Sequence, residues 1–117
     1  MSKYRVGDVV IAPVAYFDDK KGYYVSQNRR FIIVKIEDNP DEIDCQNITV
    51  SCTGQVHQAD KYPGITIAQS SKEGIEMQLT MDTFVYCNKT TSYSDKEIIR
   101  RKGHCARIDE ILKLVQL

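Results

Sequence analysis

Two adjacent arginines, Arg29 and Arg30, stand directly before the longest unbroken β-branched and aromatic run in the chain, Phe31-Ile32-Ile33-Val34. A guanidinium fixed at the end of a rigid strand presents a planar fork of donors to an oxyanion, and phosphate is the anion best matched to it. The alternative is a pair of solvated end charges. Thr53 offers a hydroxyl at the polar-facing end of an alternating stretch, immediately before Gly54. His57 follows in a polar connection, and His104 follows Gly103. Histidine is the side chain most suited to moving protons near neutral pH; the alternative for a lone loop histidine is simple solvation. Cys45, Cys52, Cys87 and Cys105 form no C-x-x-C pair, so their spacing offers no zinc motif. Cys52 and Cys87 lie inside apolar, strand-like segments, where a thiol behaves as a small buried hydrophobe.

The elements that must position these residues are short. A length of 117 residues fits one domain, residues 1–117, with a single modest core. Sixteen basic residues balance sixteen acidic ones, so any contact with a polyanion has to come from a local patch. No stretch has the length and apolarity of a membrane span or signal peptide, which gives a cytoplasmic location and no membrane partner as the expectation.

Residues 6–15 read as a first strand, with Pro13 marking an edge or a bulge. The polar stretch 16–28 reads as a long surface loop leading into the central strand. That strand, at 31–34, is apolar without alternation and is therefore expected to be buried on both faces. Asp-Asn-Pro-Asp-Glu makes 37–46 a turn. Residues 47–53 alternate Ile48, Val50 and Cys52 against Thr49, Ser51 and Thr53, the pattern of a strand with one wet face. Beyond a connection at 55–63, strand-like segments follow at 64–69, 75–79 and 83–87. Ser94-Asp95-Lys96-Glu97 matches a capping box for one helical turn, followed by a short strand at 98–101. Ile108, Ile111, Leu112 and Val115 fall at helical spacing and predict a terminal amphipathic helix. Together these elements describe a mainly β protein, a small β-barrel closed by a C-terminal α-helix.

Several short motifs give the chain a resemblance to the MazF/PemK family of toxin-antitoxin endoribonucleases. Gly7-Asp8-Val9 is similar to the family's opening strand, and Arg30-Phe31-Ile32-Ile33-Val34 resembles its Arg-Pro-hydrophobic-hydrophobic-Val. Thr53, within Val50-Ser51-Cys52-Thr53-Gly54-Gln55, matches its strand-end Thr or Ser. Asp82-Thr83-Phe84-Val85 resembles a further family strand, and 98–103 its closing segment. Two departures stand out: Phe31 replaces the family's proline, and the stretch 87–93 contains no arginine where many members carry one.

The resemblance implies an SH3-like barrel, a homodimer, cleavage of single-stranded RNA without metal or cofactor, and inhibition by an antitoxin protein laid along the substrate groove. It also implies that Arg30 and Thr53 face each other at the scissile phosphate. There Arg30 would stabilise the crowded pentacovalent phosphorus and Thr53 would orient a non-bridging oxygen. His57 is the proton-transfer candidate. Gln27, Asn28, Arg29, Gln55 and Lys89, with Tyr23 and Tyr24, are the expected substrate-binding residues, tyrosines stacking on bases and arginine holding the backbone. Two alternatives remain open: a non-catalytic RNA- or protein-binding member of the same fold, and a protein-interaction module using the exposed sheet and last helix.

Overall fold

β2 (Tyr23–Glu37) is the spine of the protein, running between β1 (Asp8–Asp18) and β3 (Gln46–Thr53), antiparallel to both. The structure, a computed structural model, describes residues 2–38 and 45–115. Four shorter strands complete the sheet: β4 (Gly64–Ile67), β5 (Thr83–Tyr86), β6 (Thr91–Ser94) and β7 (Arg100–His104). The order is β4-β5-β3-β2-β1-β7, with β6 also paired to β3. The outer edge of β3 is divided: Gln46 to Thr49 pair with β6, and Cys52 and Thr53 pair with β5. The sheet curls strongly into a half-barrel, and α2 (Ile108–Leu114) packs on its concave side.

The run 31–34 is buried on both faces, as its lack of alternation requires. Ile32 and Val34 join Val9, Val50, Val85 and Ile111 in the larger core inside the barrel. Phe31 and Ile33 join Val10, Ala12, Tyr93 and Ile98 in a second cluster on the opposite face. Each fully buried side chain of this size contributes about 1.5–3 kcal/mol. A bulge at Val34 shifts the β2–β3 pairing between Ile33 and Lys35. The terminal helix sits where its periodicity places it, with Ile111 and Val115 buried and Ile108 and Leu112 packed alongside.

Three local expectations are corrected. The stretch 16–28 is not a long loop: β1 continues to Asp18 and β2 begins at Tyr23, so both arms are strand and only a tight turn joins them. Pairing of β1 with β7 ends at Ile11 and pairing of β2 with β3 starts at Phe31, so beyond these residues the hairpin projects as a two-stranded ribbon. Residues 75–79 do not form a strand. Ser71 caps α1 (Lys72–Glu76) by accepting from Gly74 N at 3.0 Å, a local signal that overrides the apolar spacing. The last strand is β7 rather than 98–101. Of the turn expected at 37–46, residues 39–44 lie outside the described residues.

Two buried carboxylates fasten the ends of the chain. Asp8 accepts hydrogen bonds from Arg5 N at 2.9 Å and lies 3.1 Å from Arg101 Nε and 3.3 Å from His104 Nδ1. Gly7, just before it, has φ +96°, and a Cβ there would enter the His104 ring. The Gly-Asp pair is thus explained by a backbone only glycine adopts readily and a carboxylate that gathers three donors. Asp95 similarly accepts from Ser2 Oγ, Lys3 N and Asn47 Nδ2, the last at 2.7 Å. Burial alone would push both carboxyls up. The hydrogen bonds outweigh it and hold both below the ordinary range.

Candidate functional site

Alternation along β2 turns Arg30 toward the Ile32 side of the sheet and Arg29 toward the Phe31 side. Arg30 leaves the barrel core at the point where β2 loses its pairing with β3, and Thr53 ends β3 at the same rim. Alternation along β3 sets Thr53 on the Ser51 face, opposite Cys52 and Arg30, so the two residues approach each other only at this rim. Both line one open cleft of about 480 Å³, whose wall also includes Gln27, Arg29 and Gln55.

Arg30 is held from the side. Its Nη2 donates to the main-chain carbonyl of Gln78 at 2.7 Å. Gln78 follows α1 with φ +55°, a left-handed conformation that costs a non-glycine residue about 1 kcal/mol or more. Sequence reasoning missed this residue, because nothing in a lone glutamine announces a carbonyl acceptor for an arginine 48 positions away. Nε of Arg30 is buried and has no hydrogen-bond partner, unlike every other buried side-chain nitrogen or oxygen among the described residues. A sealed, unanswered donor costs about 1–3 kcal/mol.

Thr53 Oγ1 accepts from Gln55 N at 3.2 Å. That leaves its own proton to donate into the cleft. The residues on the wall include two arginines and no carboxylate, which makes the cleft locally positive in a chain of zero net charge. Cys52 also lines it, but burial first, and the neighbouring Cys105 thiol second, push its pKa up to about 12. It is neutral at physiological pH and offers neither a base nor a nucleophile.

The other expected residues are distributed differently. His57 is exposed on a 3-10 turn, Val56–Asp60, and does not line the cleft. Asn28 is exposed on the ribbon and is also outside it. Tyr23 and Tyr24 lie near the tip, 57% and 73% exposed, and Tyr24 stands edge-on to Phe17. Five residues of strand separate Tyr24 from Arg30, a span of roughly 20 Å. Lys89 lines a neighbouring cleft, which shares Arg29 with the first. His104 is engaged with Asp8, in the cluster that ties β7 to β1.

All four cysteines are buried, and no disulfide joins them among the described residues. Among the described residues no cluster of three or more His, Cys, Asp or Glu side chains is arranged to hold a metal ion, and no helix is long and apolar enough to cross a membrane. No protein-family model matches the chain, and no curated protein matches it at a significant level.

Proposed function

We propose that the protein is an endoribonuclease of the MazF/PemK type that cleaves single-stranded RNA at the Arg30–Thr53 cleft. The observation that carries this reading is one open cleft lined by the Arg30 guanidinium, the Thr53 hydroxyl and Arg29, with no carboxylate on its wall. The reaction is attack of a ribose 2′-oxygen on the adjacent phosphorus with departure of the 5′-oxygen, giving a 2′,3′-cyclic phosphate and a 5′-hydroxyl end. Charge grows on the non-bridging oxygens as phosphorus becomes five-coordinate. Arg30 meets that charge more strongly in the transition state than in the ground state, and this difference is what accelerates the step. Thr53 fixes the phosphate by donating to one oxygen. His57 is the nearest imidazole in sequence and would have to reach the cleft by movement of its turn. The dimeric assembly, the antitoxin partner and a cytoplasmic location belong to the same proposal, supported by the sequence motifs.

Incubation of the pure protein with mixed single-stranded RNA in EDTA, followed by mapping of the ends, tests it. Discrete cuts ending in 5′-hydroxyl groups are expected for wild type and are lost in Arg30→Ala. Equal background from both proteins refutes cleavage by this site.

A second reading, a non-catalytic RNA-binding domain, is favoured by one specific observation. The cleft wall offers no side chain able to take the 2′-hydroxyl proton: its only thiol is held neutral, and it contains neither histidine nor carboxylate. Salt-dependent binding of intact strands would support that reading.

A further inference from the structure

Beside the Arg30–Thr53 cleft lies a second one of about 410 Å³, on the opposite face of the sheet. This volume falls within the range of roughly 300–1,000 Å³ usual for small-ligand sites. Its floor is apolar, made by Val14, Phe31 and Tyr93. Tyr93 contributes only its ring, because its hydroxyl donates to Pro13 O at 3.0 Å. One wall is aromatic: Tyr62 and Tyr86 are 5.7 Å apart edge-to-face, and Tyr86 in turn stands 5.2 Å from Phe84. That contact braces Tyr86 on a core residue, while Tyr62, on the connection before β4, is 43% exposed. The rim carries amides, Gln58 and Asn88, and the charged lining residues, Arg29 and Lys89, are both cations. Arg29 also lines the first cleft, so the two sites meet at one guanidinium.

We infer that this second cleft is a nucleobase-binding subsite, in which a base of single-stranded RNA stacks on Tyr62 while its phosphate is held at Arg29. The inference rests on the proposed RNA-binding role of the first cleft and specifies where the neighbouring nucleotide goes. A flat, amphipathic ligand is what the lining selects. The apolar floor and aromatic wall take a π-face, the amides satisfy polar edges in either donor or acceptor sense, and the cations take the linkage. An acidic peptide would satisfy the cations and leave the aromatic wall and apolar floor unused. A purely apolar ligand would bury Arg29 and Lys89 without partners. The connection at 55–63 supplies both Gln58 and Tyr62, so its sequence would set base preference.

The test uses short single-stranded RNAs made uncleavable by 2′-O-methylation, each carrying one 2-aminopurine, titrated into wild type, Tyr62→Ala, Tyr62→Phe and Arg30→Ala. Stacking is expected to quench 2-aminopurine in wild type and Tyr62→Phe. Tyr62→Ala should abolish the quench and weaken binding roughly five- to a hundredfold. Replacing the 2-aminopurine with an abasic site should weaken wild type equally and leave Tyr62→Ala unchanged, a readout on the folded wild-type protein. Quenching and affinity identical in wild type and Tyr62→Ala overturn the subsite while leaving the first cleft's role intact. Absence of RNA binding by wild type overturns both. Tyr62-dependent binding by a protein that never cuts unmodified RNA upholds the subsite and removes only the nuclease.

Discussion

Asp8 and Arg30 are charges set at the ends of apolar stretches in neighbouring strands, and the fold treats them in opposite ways. Asp8 is 2% exposed, and its carboxylate is met by Arg5 N–H, Arg101 and His104. Arg30 is only partly buried, yet its Nε–H meets nothing and one of its terminal nitrogens is spent on a carbonyl. A buried ion whose hydrogen-bonding capacity is filled from within belongs to the architecture. A guanidinium that lines an open cleft without an opposing carboxylate leaves its charge available to an anion from outside. The contrast separates two clusters that a count of charged residues would treat alike.

The largest expected effect breaks the Arg30 side of this comparison. Arg30→Ala should lower the cleavage rate by about 10²–10³-fold, the range for loss of one electrostatic donor to a transition state, while the melting temperature falls only slightly, since the Nη2 bond to Gln78 O is lost together with an unsatisfied donor. Asp8→Asn should do the reverse: a loss of about 3 kcal/mol in urea unfolding, with cleavage per folded molecule unchanged. Gly7→Ala should cost about 2 kcal/mol in the same assay, since the new methyl meets the His104 ring and the backbone is held at φ +96°.

Acid sharpens the comparison further. Asp8 and Asp95 have folded pKa values below the ordinary 3.8, so the unfolded chain binds protons first as the pH falls. Their contribution is fully present above that value and is lost as pH drops through the folded ones. Thermal melts from pH 6 to pH 2 should show a decline beginning near pH 4, shallower in Asp95→Asn. The smallest effect is expected at Cys52. Cys52→Ala should leave the cleavage rate within about twofold, because a thiol held neutral near pH 7 takes no part in proton transfer. A large loss there would assign the missing base to the thiol.

The parts of this molecule that were legible in the sequence are those fixed by local patterning. Residues 31–34 announced two-sided burial by their refusal to alternate, and Ile108, Ile111, Leu112 and Val115 announced a helix with one buried stripe. The mainly β half-barrel followed from them. Residues 16–28 carry no such signal, because a ribbon exposed on both faces has no apolar period and its strand character comes from cross-strand pairing alone. Residues 75–79 failed because the Ser71 cap decides the segment before its apolar spacing can. At the candidate site, the Arg30 and Thr53 positions were legible through motif resemblance. The Gln78 carbonyl and the Tyr62–Tyr86 wall depend on contacts between distant segments, which no periodicity records.

The extra residue at Val34 gains significance from the double burial around it. In a half-buried strand, a slip of one residue throws the apolar set into water, and that penalty enforces alignment. Here a slip would exchange Phe31 and Ile33 for Ile32 and Val34, one apolar pair for another. Alignment must therefore come from whatever interrupts the run: the kink at Val34 and the paired guanidinium groups at its head. Neutralising those arginines would remove one of the few marks by which this hairpin tells adjacent alignments apart.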